Sequence, residues 1–300
     1  HRPGDDTNAG GEYLTIASVS DTLSTVAASM GSSIAGLGMR NALSSLGDVY
    51  PGRQIFVPAK KPISGLPIPL VGLRVLPDHP SQGDPIVVTV ELQSDAHLSG
   101  TLGDELLHFV SSDNRSFALH GIHAMADPGT YPLIIHAKLP EGGIAAFETR
   151  VAISDAQYQY QEIILPQEKS GLLNQYEEVE AEAERIRSIA SYFRRERLWE
   201  IPFSPPLNTD RITANFGLRR SYNGGPYQTF HSGVDFWAST DTQINAPASG
   251  IVVLAEELLI RGNATVIDHG WGVYTTYWHQ SHILVSDGQT VSPGDPIGHV

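Results

Sequence analysis

Cysteine is absent from the 300-residue chain, which excludes disulfide bonds, thiolate metal ligands and cysteine nucleophiles. Any bound metal must therefore be held by His, Asp or Glu side chains. Basic residues are few, since 19 Lys and Arg stand against 33 Asp and Glu and give a formal net charge of -14 at pH 7. A phosphate backbone needs a broad basic surface, so nucleic acid is not expected as a partner.

Long apolar runs are also missing. No stretch reaches the roughly 18 to 20 apolar residues of a membrane span, so we expect no span in this chain. The length, with 41% apolar residues, is typical of a folded multidomain protein, and mixed helical and strand patterns predict the α+β class. The sequence begins with His1 and not with Met, which predicts removal of a leader or anchor. The protein is therefore expected to be extracytoplasmic: secreted, periplasmic or associated with the cell wall.

Residues 11–59 predict a small module with the order βααβ. A short β-type run precedes two stretches rich in Ala, Ser and Leu, and the run "RQIFVP" follows a Pro-Gly turn. The segment resembles a LysM module in its Asp-Thr-Leu and Tyr-Pro-Gly triplets, although Ser20 stands where the family usually has glycine. The resemblance implies binding of N-acetylglucosamine glycans through Asp21, Thr22 and Leu23. A small helical cap without a ligand is the alternative.

Residues 68–155 predict an immunoglobulin-like β-sandwich. Short runs such as "PIVVTVELQ" and "AAFETRVAI" alternate with turn signals, and "GTYPLIIHA" looks like a late strand of such a domain. The histidines of this stretch are dispersed, and we expect no chemistry from it.

Residues 156–200 predict a connector that contains an amphipathic helix. The apolar stripe recurs at steps of three and four and consists of Leu172, Tyr176, Val179, Ala183, Ile186, Ala190 and Phe193. Glutamates crowd its first half and arginines its second half, which suits the helix macrodipole. The stripe either joins two chains or packs on a neighbouring domain of the same chain.

Residues 201–300 predict a β-rich domain with tight turns. Within it, the stretch "FHSGVDF" places His231 and Asp235 four residues apart. A regular strand would separate them by about 13 Å, whereas two ligands of one zinc ion each lie about 2 Å from it. A bend at Ser232-Gly233 would allow both side chains to converge, because glycine tolerates dihedral angles that other residues avoid. The alternative is an ordinary strand entrance.

The segment from about Asn208 resembles the lysostaphin and LytM type of zinc endopeptidase in the order and spacing of its motifs. These are the HxxxD stretch, "GVYTTYWHQS" and "DGQTVSPGDPIGHV". The resemblance implies an antiparallel β-rich peptidase domain with Zn²⁺ as cofactor. It also implies that His231 and Asp235 are zinc ligands and that His279, in Tyr277-Trp278-His279, is catalytic.

The family's remaining motif, an HxH that supplies the third zinc ligand, does not occur in this sequence. Its usual place is shortly after "GDPIGHV", so we expect it beyond Val300 in a longer natural chain. A protein that lacks the motif altogether would be a binding factor, and without the third ligand this fragment itself is expected to be inactive. We expect His269, His282 and His299 to be structural or solvent-facing.

The sequence therefore predicts a zinc-dependent metalloendopeptidase that hydrolyses peptide bonds in peptidoglycan stems or cross-bridges, with peptidoglycan as its partner. The first alternative is a non-catalytic envelope protein that binds peptidoglycan or activates another wall hydrolase. The second is a zinc peptidase that acts on proteins. The sequence leaves the oligomeric state open.

Overall fold

A computed structural model describes residues 12–16, 22–30, 34, 38, 54–58, 66–165 and 176–300. The chain forms two compact units, His1–Ala156 and Gln157–Val300. The four-part division predicted from the sequence is finer than these units and stays a prediction. None of the helices in the described ranges has the length and apolarity that a bilayer crossing requires.

The amino-terminal stretch contributes two strands and one helix to the described residues. Strands β1 (Glu12–Ile16) and β2 (Gln54–Pro58) pair antiparallel, and helix α1 spans Leu23–Met30. Thr22 precedes α1 and caps it, because the Thr25 backbone N–H donates to its hydroxyl at 3.2 Å. The predicted glycan-binding residue Asp21 and most of the predicted second helix lie outside the described residues. A βααβ module needs two helices, so the LysM-like module stays a prediction.

Two four-stranded antiparallel sheets follow, as the alternating strand runs predict. The first has the order β3-β4-β8-β7 and the second the order β10-β9-β5-β6. The strands are β3 (Leu70–Leu76), β4 (Pro85–Leu92), β5 (His97–Leu102), β6 (Glu105–Leu107), β7 (Val110–Ser112), β8 (Arg115–Gly121), β9 (Gly129–Lys138) and β10 (Ile144–Ile153).

Side chains that point inward from both sheets form one apolar core. On β4 every second residue is buried, from Ile86 to Leu92, as expected for a strand with one face toward solvent. Leu133 and Ile135 on β9 meet this row from the opposite sheet and are fully buried. The two sheets are therefore the layers of a β-sandwich.

The second unit is β-rich and mainly antiparallel, as expected for residues 201–300. Its sheets have the orders β11-β13-β14, β12-β15, β16-β22-β20 and β19-β18-β17-β21. The strands are β11 (Tyr160–Ile163), β12 (Ile212–Ala214), β13 (Arg219–Tyr222), β14 (Thr229–Phe230), β15 (Asp235–Phe236), β16 (Gln243–Asn245), β17 (Gly250–Leu258), β18 (Gly262–Asp268), β19 (Tyr274–Gln280), β20 (His282–Ile283), β21 (Thr290–Val291) and β22 (Pro296–His299).

The four-stranded sheet of this unit carries apolar side chains on both faces. A register shift between Val252 and Leu254 inserts one extra residue into β17, so these two side chains reach opposite cores. Val252 packs with Ile267 in one core, and Leu254 packs with Val266 in the other.

Helix α2 (Tyr176–Ala190) covers one face of this sheet. Ile186 and Ile189 pack against the core that contains Leu254, so the apolar stripe packs within its own chain. The predicted stripe was wrong at Ala190, which is exposed, and it missed Glu182, which is buried.

Strand β11 was not predicted, since its residues fell in the connector. It pairs parallel with β13, with Tyr160 opposite Arg219 and Ile163 opposite Tyr222. β13 pairs in turn with β14, which leads directly to His231. The connector therefore supplies an element of the sheet beside the HxxxD stretch.

Candidate active site

The backbone of His231 is fixed by its neighbours on the turn that precedes β13. Its N–H donates to the Leu218 carbonyl and its carbonyl accepts from the Gly217 N–H, both at 2.8 Å. Gly217 has φ of 86°, and a β-carbon there would lie 2.1 Å from the Tyr158 ring. This turn therefore requires glycine.

The imidazole of His231 is oriented by a hydrogen bond at Nδ1. The residue is only 8% exposed, and its Nδ1 lies 2.9 Å from the backbone oxygen of Asn215. A carbonyl oxygen can only accept, so Nδ1 donates its proton to it, and Nε2 is the nitrogen that carries the lone pair in the neutral ring. This is the tautomer that a metal ligand bound through Nε2 requires.

Asp235 lies beside Nε2 of that ring. Its Oδ1 lies 3.1 Å from His231 Nε2, and its Oδ2 lies 3.8 Å from Nη2 of Arg220. Two ligands at tetrahedral angles on one zinc ion lie roughly 3.3 Å apart, since each is about 2 Å from the metal. The two side chains of the HxxxD stretch therefore converge as a shared ion would require.

The bend between these residues differs from the predicted one. β14 ends at Phe230 and β15 begins at Asp235, so the chain does turn between the two side chains. Gly233 lies within this turn but does not have a positive φ. A β-carbon there would lie 4.0 Å from His231 Nε2, so space does not require glycine either. The prediction that Gly233 supplies unusual dihedral angles was wrong; the positive φ beside the site belongs to Gly217.

His279 belongs to a different strand, β19. It is exposed near the end of β19 with a φ of 59°, and its backbone N–H donates to the Arg261 carbonyl at 2.8 Å. Across the described ranges, no three His, Cys, Asp or Glu side chains come together in a group that could hold a metal. The pair of His231 and Asp235 therefore offers two of the three protein ligands that a catalytic zinc normally has.

Tyr277, two residues before His279, serves the core. It packs against the cluster of Val252 and Ile267, and its hydroxyl donates to Thr275 Oγ1 at 3.0 Å. Burial raises the pKa of Tyr277 to about 12, so the phenol is neutral at physiological pH. Its place in the Tyr-x-His motif is explained by packing and by this hydrogen bond.

The remaining histidines of the segment have structural surroundings. His269 is fully buried, with Nδ1 at 2.8 Å from the Ser249 carbonyl oxygen and Nε2 at 2.8 Å from Thr275 Oγ1. Burial lowers the pKa of His269. His282 and His299 are cross-strand partners, and their rings lie edge to face at 6.4 Å.

Residues that contain the whole HxxxD stretch match a known family. Residues 229–300 match Peptidase family M23. We call these residues the M23 segment, and they include His231, Asp235 and His279.

Curated relatives are similar over the same part of the chain. Peptidoglycan DD-endopeptidase ShyA of Vibrio cholerae is 39% identical over 88 residues, which cover 29% of this chain and 20% of that protein. DD-carboxypeptidase/endopeptidase Mpg of Neisseria meningitidis serogroup B is 34% identical over 95 residues, which cover 32% of this chain and 22% of that protein. The chain thus spans about a fifth of the length of these relatives.

A solved structure resembles a larger part of the chain. The crystal structure of a putative peptidase M23 from Pseudomonas aeruginosa covers 74% of this chain and 82% of its own, with a TM-score of 0.50 and 22% identity. This likeness concerns the fold alone. The M23 segment therefore resembles M23 peptidases in sequence, and the chain resembles one of them in fold.

Sequence reasoning missed the supporting residues of the site. Asn215 acts through its backbone oxygen, which leaves no signature in the residue type. Arg220, on β13, approaches Asp235 at 3.8 Å and also donates from Nε to Gln161 Oε1 at 3.1 Å. The residue type of Arg220 gave no signal in the sequence, because its approach to Asp235 depends on the fold.

Proposed function

We propose that this protein is a zinc-dependent endopeptidase that hydrolyses peptide bonds of peptidoglycan. The observation that carries the proposal is the 3.1 Å approach of His231 Nε2 to Asp235 Oδ1, with the opposite ring nitrogen donating to a carbonyl. Similarity to proteins named peptidoglycan DD-endopeptidase and DD-carboxypeptidase/endopeptidase supports peptidoglycan as the substrate.

The residues of the pair fit a zinc ion in chemistry as well as in spacing. Imidazole nitrogen and carboxylate oxygen are both zinc ligands, and His231 would bind through Nε2 and Asp235 through Oδ1. When bound, zinc supplies Lewis acidity that activates water and polarises the scissile carbonyl. A third protein ligand is needed, and the expected HxH motif would supply it.

The chain's own residues have separate tasks in this proposal. Asn215 keeps the His231 ring oriented and its proton on Nδ1. Arg220 offsets the negative charge of the second oxygen of Asp235. His279 hydrogen-bonds the oxyanion that develops on the scissile carbonyl, or the attacking water.

A non-catalytic role is the second candidate, because no third ligand joins the pair among the residues that the structure describes. Such a protein would bind peptidoglycan, or activate another wall hydrolase, without metal-dependent cleavage. A zinc peptidase that acts on proteins would share the residues of the first proposal and differ in its substrate.

The roles of the other regions complete the proposal. The sandwich is immunoglobulin-like, supported by strand orders that match the ABED sheet and a CFG sheet extended by one strand. The amino-terminal module directs the enzyme to glycan, and the protein works outside the cytoplasm, where peptidoglycan is found.

The test uses the full-length natural protein and purified peptidoglycan, with released peptides separated by chromatography. We expect His231→Ala and Asp235→Ala to lower cleavage more than about 100-fold, since even residues behind the ligands are worth about 10- to 100-fold. We expect His279→Ala to lower it about 100- to 1,000-fold, the effect of losing one oxyanion donor. Bound zinc should fall in the first two variants and stay in the third.

His282→Ala is the matched control, because it removes an exposed imidazole three residues from His279. Full activity of any of the three site variants would refute the role given to that residue. Absence of cleavage by the wild type would favour the non-catalytic role, whereas cleavage that persists after zinc removal would refute the role given to zinc. Casein digested in parallel distinguishes a general protein substrate from wall peptides.

A further inference from the structure

A buried carboxylate lies on helix α2, away from the proposed metal ligands. Glu182 is 8% exposed and shares a helix face with Ile186 and Ile189, which are four and seven residues further along. Those two residues pack on the four-stranded sheet. A glutamate therefore stands where the stripe would ordinarily carry an apolar side chain, and a buried charge is unfavourable unless it is well paired.

Both oxygens of Glu182 bind the turn that joins β17 to β18. Oε2 accepts from the backbone N–H of Ile260 at 2.8 Å, and Oε1 accepts from Nη1 of Arg261 at 2.5 Å. The contacts join residues 78 and 79 positions apart. Helix α2 thus fixes both the backbone of this turn and the direction of the Arg261 side chain.

Arg261 passes this constraint to the end of β19 in two ways. Its guanidinium lies over the Trp278 ring, 5.3 Å from the centroid, which is within the range of a cation–π interaction. Its backbone carbonyl accepts from the N–H of His279 at 2.8 Å. One arginine therefore contacts both the proposed catalytic residue and the residue before it.

The conformation of His279 needs such support. Asn263 pairs with Gln280 and Thr265 pairs with Tyr277. Two residues of β19, Trp278 and His279, therefore lie opposite the single residue 264 of β18 and form a β-bulge. Bulges redirect side chains beside active sites, and a positive φ at a residue other than glycine persists only when its surroundings enforce it.

The bulge is held on its other side as well. Nδ2 of Asn263 donates to the carbonyls of Gln280 and Ser281 at 3.0 and 3.1 Å. Gly262 has a φ of 59°, which favours glycine, and a β-carbon there would only touch His279 Nδ1, at 3.6 Å. The Arg261 carbonyl and the Asn263 amide therefore hold the backbone of the bulge that carries the His279 ring.

We propose that Glu182 is a positioning residue for His279, acting through Arg261. This inference rests on the proposed function for its catalytic consequence, and on the contacts above for its geometry. It makes helix α2 part of the catalytic unit, although the helix contributes no residue to the metal pair.

The test compares Glu182→Gln with Glu184→Ala in the full-length protein. Gln keeps the volume of Glu182 but has one oxygen acceptor in place of two and no charge, so either the Ile260 N–H or Arg261 Nη1 loses its acceptor. Glu184 is exposed on the same helix and pairs with Arg187 within the helix, so its variant is the matched control. We expect Glu182→Gln to lower kcat about 10- to 100-fold, as small misplacements of catalytic groups do. We expect unchanged KM and zinc content, and no change in kcat for Glu184→Ala.

Two further measurements separate positioning from general stability. Arg261→Ala and the double variant Glu182→Gln/Arg261→Ala should lose equal kcat, because the two residues act in series. In histidine-labelled protein, the ring signals of His279, assigned from His279→Ala, should shift in Glu182→Gln and stay in Glu184→Ala. Both should be measured well below the melting temperature of every variant.

Losses that multiply in the double variant, or an unshifted His279 signal, would overturn the inference. If the wild type cleaves no peptidoglycan, the proposed function fails by itself. The His279 signal then decides the positioning inference on the geometry alone.

Discussion

The β-sandwich and the carboxy-terminal unit use the same kind of short strand but bury different side chains. In the sandwich, the buried polar residues are Gln82, Ser116 and Thr149. In the carboxy-terminal unit they are Glu182, Ser221, His231, Thr265, Asp268, His269 and Gln280. Among the described residues, carboxylates and imidazoles are buried only in the second unit.

This difference shows how each region is specified. An apolar core is non-directional, and many combinations of side chains of similar volume can fill it. A buried carboxylate must be met by donors at defined positions. Asp268, for example, is fully buried and accepts from Nε of Arg194 and from the Gly270 N–H, both at 2.7 Å. The second unit therefore requires particular residues at particular positions, whereas the sandwich core can be filled by several combinations of apolar side chains.

Arg194→Ala is expected to have the largest effect on stability in this comparison. It leaves the Asp268 carboxylate buried without its charged partner, so we expect the free energy of unfolding to fall by about 3–5 kcal/mol. All four tryptophans, Trp199, Trp237, Trp271 and Trp278, lie in this unit, so their fluorescence during urea unfolding reports on it. A loss below about 1 kcal/mol would contradict the argument.

The control for this prediction is Arg115→Ala in the sandwich. Arg115 Nη2 lies 3.1 Å from Glu91 Oε1, but both side chains are about half exposed. Solvent screens such a pair, so we expect a loss of about 0–1 kcal/mol. The same substitution thus tests a buried pair in one region and an exposed pair in the other.

The sandwich should be sensitive to volume. Leu133 is fully buried between the two sheets, and Leu133→Ala should lower the free energy of unfolding by about 2–5 kcal/mol, because it removes packed methyl groups and leaves a cavity. The loss is measured by amide hydrogen exchange of the β9 backbone in the variant and in the wild type. Leu106→Ala, at a site 68% exposed, should leave exchange unchanged; equal effects of both variants would contradict the prediction.

The smallest effect concerns pH and the buried imidazole of His269. Burial lowers the pKa of His269 in the folded protein, whereas the unfolded chain takes up the proton near pH 6.5. The unfolded state therefore binds more protons below about pH 6.5, and stability should fall as the pH is lowered through the folded pKa. Tryptophan fluorescence melts between pH 7.5 and 5.5 measure this slope.

His269→Gln is the comparison for this slope. It removes the titrating group while it keeps a polar side chain, so the melting temperature of the variant should depend less on pH, even if it is lower throughout. An unchanged slope would assign the pH dependence to other groups.

Local patterns in the sequence predicted part of this structure. The alternation in β4 was enough for a half-buried strand, and the HxxxD spacing was enough to propose a pair, because a four-residue separation needs only one turn. The apolar stripe located helix α2. The sequence grouped Glu182 with the other acidic residues in the first half of the helix. Its burial was not predictable, because it depends on a contact with a turn 78 residues away.

Other features follow from tertiary contacts that single residues do not reveal. The acceptor for His231 Nδ1 is a backbone oxygen 16 residues earlier, and any residue at position 215 would provide one. The bulge at Trp278 and His279 depends on the register between two strands. Strand β11 is defined by its pairing with β13, and its sequence carries no strand pattern that distinguished it from the rest of the predicted connector.

The parallel pairing of β11 with β13 also bears on how this protein could be divided. A fragment that begins at residue 201 would lack β11, and the outer side of β13 would present unpaired backbone N–H and C=O groups to solvent. Open strand edges of this kind recruit other chains and lead to aggregation. A fragment that begins at residue 157 would carry its own covering strand and is the better starting point for an isolated soluble piece.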